Sequence, residues 1–85
     1  MRLQTKKLER GVRLMRIYEL DARYDARKSF YGKAHVIDHE DGVLELQSYN
    51  TIVARIENGK VTQSDIGVYS QTTNRHIREF IKQFA

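Results

Sequence analysis

The sequence predicts an α+β fold: a small, twisted antiparallel meander of three to five strands, with a C-terminal amphipathic helix packed on one face. Three observations carry that prediction. Asn58-Gly59 lies between two runs of strand character, and Asn-Gly supplies the two positive φ values of a tight hairpin turn. Glu40-Asp41-Gly42 is a second turn of the same polar, glycine-ended kind between two further runs. After Ser70 the apolar spacing changes to Ile77, Phe80, Ile81 and Phe84, the i, i+3, i+4, i+7 stripe of a helix.

Taken in order, residues 1–10 form a basic arm, and a single domain is expected over residues 11–85. Val12, Leu14, Tyr18 and Leu20 fit a strand with Arg16 interrupting. Leu14, Ile17 and Tyr18 fit a helix as well, but β-branched and aromatic content and the helix-breaking Gly11 favour the strand. Strands follow over Phe30 to Asp38 and Val43 to Tyr49, with Ser48-Tyr49-Asn50 marking a tight turn or bulge into the next. In that strand Ile52, Ala54 and Ile56 alternate with Thr51, Val53, Arg55 and Glu57. A two-residue turn then pairs Ile56 with Val61 on the apolar side and Glu57 with Lys60 on the other. Ser70, Thr72 or Thr73 can cap the helix. A helix this short is not stable alone in water, so its stripe must pack on the sheet. The predicted core is Val12, Leu14, Phe30, Ala34, Val36, Leu44, Leu46, Ile52, Ala54, Ile56, Val61, Ile77, Phe80, Ile81 and Phe84. So small a twisted sheet tends towards a small barrel, or leaves an edge and an open face that a homodimer would cover.

The 85 residues suffice for one domain with a modest core. About a quarter are Leu, Ile, Val or Phe, which places the chain outside the disordered regime. The chain has no cysteine, which excludes disulfides, thiolate metal sites and cysteine nucleophiles. No apolar run approaches the roughly 20 residues of a membrane span, and the basic start is not followed by the apolar stretch of a secretory signal. A small protein of the cytoplasm, with no membrane partner, is the expectation.

Candidates for chemistry are few. His35, Asp38, His39 and Glu40 suggest a metal site only superficially, because about 13 Å of strand separates the two histidines. His76 reads as a boundary residue or a helix-start contact. No phosphate-binding glycine loop or nucleophile motif occurs. The expectation is a protein that is not an enzyme and holds no metal or other cofactor.

The charge is more informative. The formal net charge is +4, but residues 1–33 alone carry ten bases and four acids. Arg27-Lys28-Ser29-Phe30-Tyr31-Gly32-Lys33 interleaves cations with aromatics, the mixture that neutralises phosphates and stacks on bases of a single strand. Arg10, Arg13 and Arg16 extend this basic surface. Arg75, Arg78 and Lys82 form a second stripe on the outer helix face, in which Arg75 and Glu79 are spaced for an i, i+4 ion pair. The candidate binding residues are therefore Arg10, Arg13, Arg16, Arg27, Lys28, Tyr31, Lys33, Arg75, Arg78 and Lys82.

Four stretches carry a resemblance: Tyr24 to Lys33; Ser48-Tyr49 with Thr51, Val53 and Ala54; Asn58-Gly59-Lys60; and Tyr69-Ser70 with Thr72, Thr73, Arg75, His76, Ile77, Glu79 and Phe80. Over about residues 24–84 the chain resembles a family of small uncharacterised domains of bacteriophages and bacteria, many of them Firmicutes. The resemblance implies a phage or mobile-element context and brings no catalytic residues. Two functions follow as expectations. The first is a binding module that holds DNA or RNA through a basic face. The alternative is a phage-encoded inhibitor that binds a host protein, such as a component of a CRISPR system, one to one.

Overall fold

The computed structural model describes residues 15–85. Five strands, β1 (Arg16–Glu19), β2 (Ala34–Asp38), β3 (Val43–Ser48), β4 (Thr51–Glu57) and β5 (Lys60–Ser64), precede one helix, α1 (Gln71–Phe84). The strands form one antiparallel meander in the order β1-β2-β3-β4-β5. The sheet is open and not closed into a barrel. Arg16 lies within β1, opposite Asp38, while Val12 and Leu14 fall outside the described residues.

Turn chemistry fixes the register. Asn58 and Gly59 have φ of 52° and 81°, and Ile56 faces Val61 while Glu57 faces Lys60. The Asn58 amide donates to the Gly42 carbonyl at 2.8 Å, so the two hairpin turns lean on each other. Gly42 has φ of 75°, and a Cβ there would sit 2.3 Å from the Asn58 Oδ1. Only glycine meets both demands at this position.

The helix lies on the face formed by Ala34, Val36, Leu46, Ala54 and Ile56, with Ile77 and Phe80 fully buried against them. Each buried Val, Leu, Ile or Phe among them stabilises the fold by about 1.5–3 kcal/mol through burial. Ser70 is the cap: its backbone is extended and its Oγ accepts from the Thr73 amide. Leu44, Ile81 and Phe84 pack at the margin of the core.

Two expected core residues are not in it. The register shifts between Leu46 and Gln47, so Val53 and Ala54 are both buried and Ile52 passes to the other side of the sheet, where it is half-buried. Strict alternation cannot foresee such a bulge. Val61, on the edge strand β5, is 41% exposed because the helix does not extend over it. Leu20, which ends the segment after β1, is buried in the core with Phe30. The open face carries a charged network: His39 Nε2 is 2.7 Å from Glu45 Oε1, and Arg55 bridges Glu45 at 3.5 Å and Glu57 at 2.8 Å.

Candidate functional site

The site is built by the loop between β1 and β2, which is tied to the flank of α1. Glu79, 2% exposed, accepts the Tyr24 amide on Oε1 at 2.9 Å and the Gln83 side chain on Oε2 at 2.6 Å. Gln83 also donates to the Asp21 carbonyl at 2.7 Å. Arg75 pairs with Asp25 at 2.7 Å. The helix pair expected between Arg75 and Glu79 is therefore not made: the Glu79 carboxylate turns inward to take a loop amide, and Arg75 takes the loop carboxylate. Further along, Asp25 accepts from the Arg27 amide, Ser29 Oγ from the Tyr31 amide, and Glu19 from the Gly32 amide.

So held, the loop closes with a tight turn. Tyr31 and Gly32 have φ of 54° and 74°, and the Lys33 amide donates to the Phe30 carbonyl at 3.0 Å. This is the geometry of the Asn58-Gly59 turn, but with tyrosine where asparagine is favoured. Tyr49, between β3 and β4, has φ of 57°. For bulky residues the left-handed region is uncommon and costs on the order of 1–2 kcal/mol. Both strained tyrosines line one pocket of about 190 Å³, together with Arg27, Ser29, Phe30, Lys33, Thr72 and His76. Tyr31 is 73% exposed and Tyr49 is 48% exposed. Lys33 Nζ stands 5.9 Å from the centre of the Tyr49 ring, within cation–π range. Among the described residues neither Arg27 nor Lys33 has an ion-pair partner. On the other side of Tyr49 lies a second pocket, of about 300 Å³, walled by Val53, Tyr69, Ser70 and Thr73.

Under Tyr49 the core is polar. His76 is fully buried, with Nδ1 2.8 Å from Ser48 Oγ, which is 3.0 Å from Thr73 Oγ1. The Phe30 ring meets the imidazole edge-to-face at 4.7 Å. Burial pushes the His76 pKa below its ordinary value, against a smaller upward pull from Asp25, so the ring is held neutral. A serine hydroxyl on an imidazole is also the geometry that activates a nucleophile. Here Ser48 is 2% exposed and already joined to Thr73, and among the described residues no carboxylate orients the far nitrogen of the ring. The arrangement ties α1 to β3.

The structure gathers only some of the sequence-predicted residues. Arg27, Tyr31 and Lys33 meet at the pocket, and Lys28 is exposed in the same loop. Arg16 lies at the opposite end of β2 from Lys33, on the order of 16 Å away along the strand, and pairs with Asp38 at 2.7 Å. The Glu40 amide and then Arg16 hold the Asp38 carboxyl below its usual range. Arg75 is engaged with Asp25, while Arg78 and Lys82 are exposed on the outer helix face. Arg10 and Arg13 lie outside the described residues. No group of three potential metal ligands occurs among the described residues.

Tyr49, Thr72 and His76 were not expected in the site. Extending the helical stripe one turn back from Ile77 places Thr73 and His76 on its buried face, and that signal was available. The position of Tyr49 depends on β3 and β4 folding back beneath the loop, which no local pattern encodes.

The fold and site together define a class: a one-helix, five-stranded meander domain with an aromatic, cationic pocket at the helix start. The chain belongs to a family of unknown function, DUF8033, whose model matches residues 18–85. No curated protein and no solved structure matches it. No helix among the described residues is long and apolar enough to cross a membrane.

Proposed function

We propose that this domain is a non-enzymatic module of phage or mobile-element origin that binds single-stranded nucleic acid at the pocket between Arg27, Tyr31, Lys33 and Tyr49. One observation carries the reading. Two exposed tyrosines are held in strained backbone, on separate segments, so that both face one pocket flanked by two cations. Such strain is kept where surrounding structure enforces it, and it concentrates at functional sites. Cations with unstacked aromatics suit a single strand, because the phosphates are neutralised while bases stack at roughly 1–3 kcal/mol each. The basic N-terminal residues would add non-specific attraction.

The test is binding of labelled single-stranded RNA and DNA, with duplex controls, between 50 and 200 mM salt. Affinity should fall steeply with salt. The Arg27→Ala, Lys33→Ala double variant should flatten the logarithmic slope by about 1.4, or about 0.7 for each lost phosphate contact on a single strand. No binding at the low-salt end rejects the reading and turns the search to a host protein bound one to one.

A further inference from the structure

The imidazole in the wall of this pocket has one nitrogen unaccounted for. Among the described residues, His76 Nε2 is the buried side-chain atom without a hydrogen-bond partner. Leaving a buried polar group unpaired is costly, and in a native fold it calls for an explanation. A chain of hydroxyls runs to the ring's other nitrogen. Ser70 Oγ donates to Thr73 Oγ1 at 3.3 Å, Thr73 Oγ1 is 3.0 Å from Ser48 Oγ, and Ser48 Oγ is 2.8 Å from His76 Nδ1. When Thr73 donates to Ser48 and Ser48 donates to Nδ1, the neutral ring carries its hydrogen on Nε2, which is then a donor.

The surroundings restrict what that donor can meet. The imidazole stands among rings: Phe30 edge-to-face at 4.7 Å and Tyr49 tilted at 6.0 Å. The cavity of about 190 Å³ has the volume of roughly six waters, enough for one flat heterocycle. Nε2 is closed from solvent, and the half-exposed Tyr49 ring stands beside the imidazole.

We infer that the pocket reads a nucleobase by its carbonyl oxygen: a keto-bearing base stacks in place of the Tyr49 ring and accepts a hydrogen bond from His76 Nε2, while Arg27 and Lys33 hold the flanking phosphates. This deepens the single-strand reading and rests on it. With the 6-position of a purine seated on Nε2, a carbonyl there accepts the hydrogen bond, whereas the amino group of adenine sets donor against donor.

The experiment compares two short strands, each with one base in an otherwise abasic backbone, that base being hypoxanthine or adenine. They match closely in shape and differ at the 6-position, carbonyl against amino, and in the N1 hydrogen that goes with the carbonyl. The hypoxanthine strand should bind roughly 5- to 10-fold more tightly, the effect of one buried donor satisfied rather than stranded. The preference should vanish in His76→Phe while the salt slope stays. Should that variant not fold, the wild-type protein still decides: with ¹⁵N-labelled histidine, the Nε2–H signal should be present in the free protein and shift with the hypoxanthine strand. Equal or adenine-favouring binding with a steep salt slope overturns this inference and spares the single-strand reading. Binding of neither strand at 50 mM salt overturns both. A ring protonated on Nδ1, or an abasic strand that moves the Nε2–H signal equally, overturns the base-carbonyl assignment.

Discussion

Replacing Tyr31 with asparagine separates folding from binding. Tyr31 occupies the first position of a turn whose backbone angles match those of Asn58-Gly59, so Tyr31→Asn writes the favoured Asn-Gly pair into it. Tyrosine costs on the order of 1–2 kcal/mol in this left-handed conformation, which asparagine tolerates. Against that gain stands lost burial. Tyr31 is 73% exposed, so only about a quarter of its side chain is covered. A fully buried tyrosine covers about 150–250 Å², so roughly 40–60 Å² is lost, worth about 1–1.5 kcal/mol at 25 cal/mol per Å². The two effects nearly cancel, and the melting temperature should move by less than about 8 °C. Binding should not be spared, because one stacked base contributes about 1–3 kcal/mol, or roughly 5- to 150-fold in affinity. Thermal unfolding by circular dichroism and a strand-binding titration on the same preparation provide the two numbers. A drop in stability above about 2 kcal/mol means the tyrosine serves the fold. Unchanged affinity with unchanged stability means it serves neither, and either result refutes the reasoning.

Further tests address the supports of the site. Glu79→Ala removes the carboxylate that holds the Tyr24 amide and Gln83. It should cost about 2–3 kcal/mol, with the Tyr24 amide losing protection in hydrogen exchange; an unchanged melt with retained protection contradicts the tie. The depressed His76 pKa gives stability a direction with pH. Above the unfolded value of about 6.5 the neutral ring costs nothing. Below it the unfolded chain takes up the proton first, so stability should fall as pH drops from about 6.5 towards the folded value, by at most about 1.4 kcal/mol per unit from this group. Denaturant titrations at pH 7.5 and 5.5 measure it, and His76→Phe, if folded, should lose that part of the slope. Gly59→Ala meets no neighbour but keeps φ of 81°, so it should cost about 1–2 kcal/mol from backbone strain alone; a neutral melt would show that the turn relaxes.

Local chemistry accounts for what could be read along the chain. Asn58-Gly59 and Glu40-Asp41-Gly42 dictate reversals within a few residues, so these two hairpins were legible, and with the first the pairing of Ile56 with Val61 and of Glu57 with Lys60. The stripe from Ile77 to Phe84 specifies a helix with one buried face. The basic-aromatic composition of Arg27 to Lys33 is equally plain in the sequence, and that stretch supplies five of the eight pocket residues, three of them candidate binding residues. What the chain could not announce depends on contacts between distant segments. Glu79 has the spacing of a surface ion pair, yet it is buried because the loop amide of Tyr24, 55 residues away, arrives to satisfy it. Val53 replaces Ile52 in the core because two strands of unequal path length share one ladder and one residue must bulge. The pocket forms where the strained turn at Tyr31, the strained turn at Tyr49 and the first turns of α1 converge, and only packing of the helix on the sheet brings those three together.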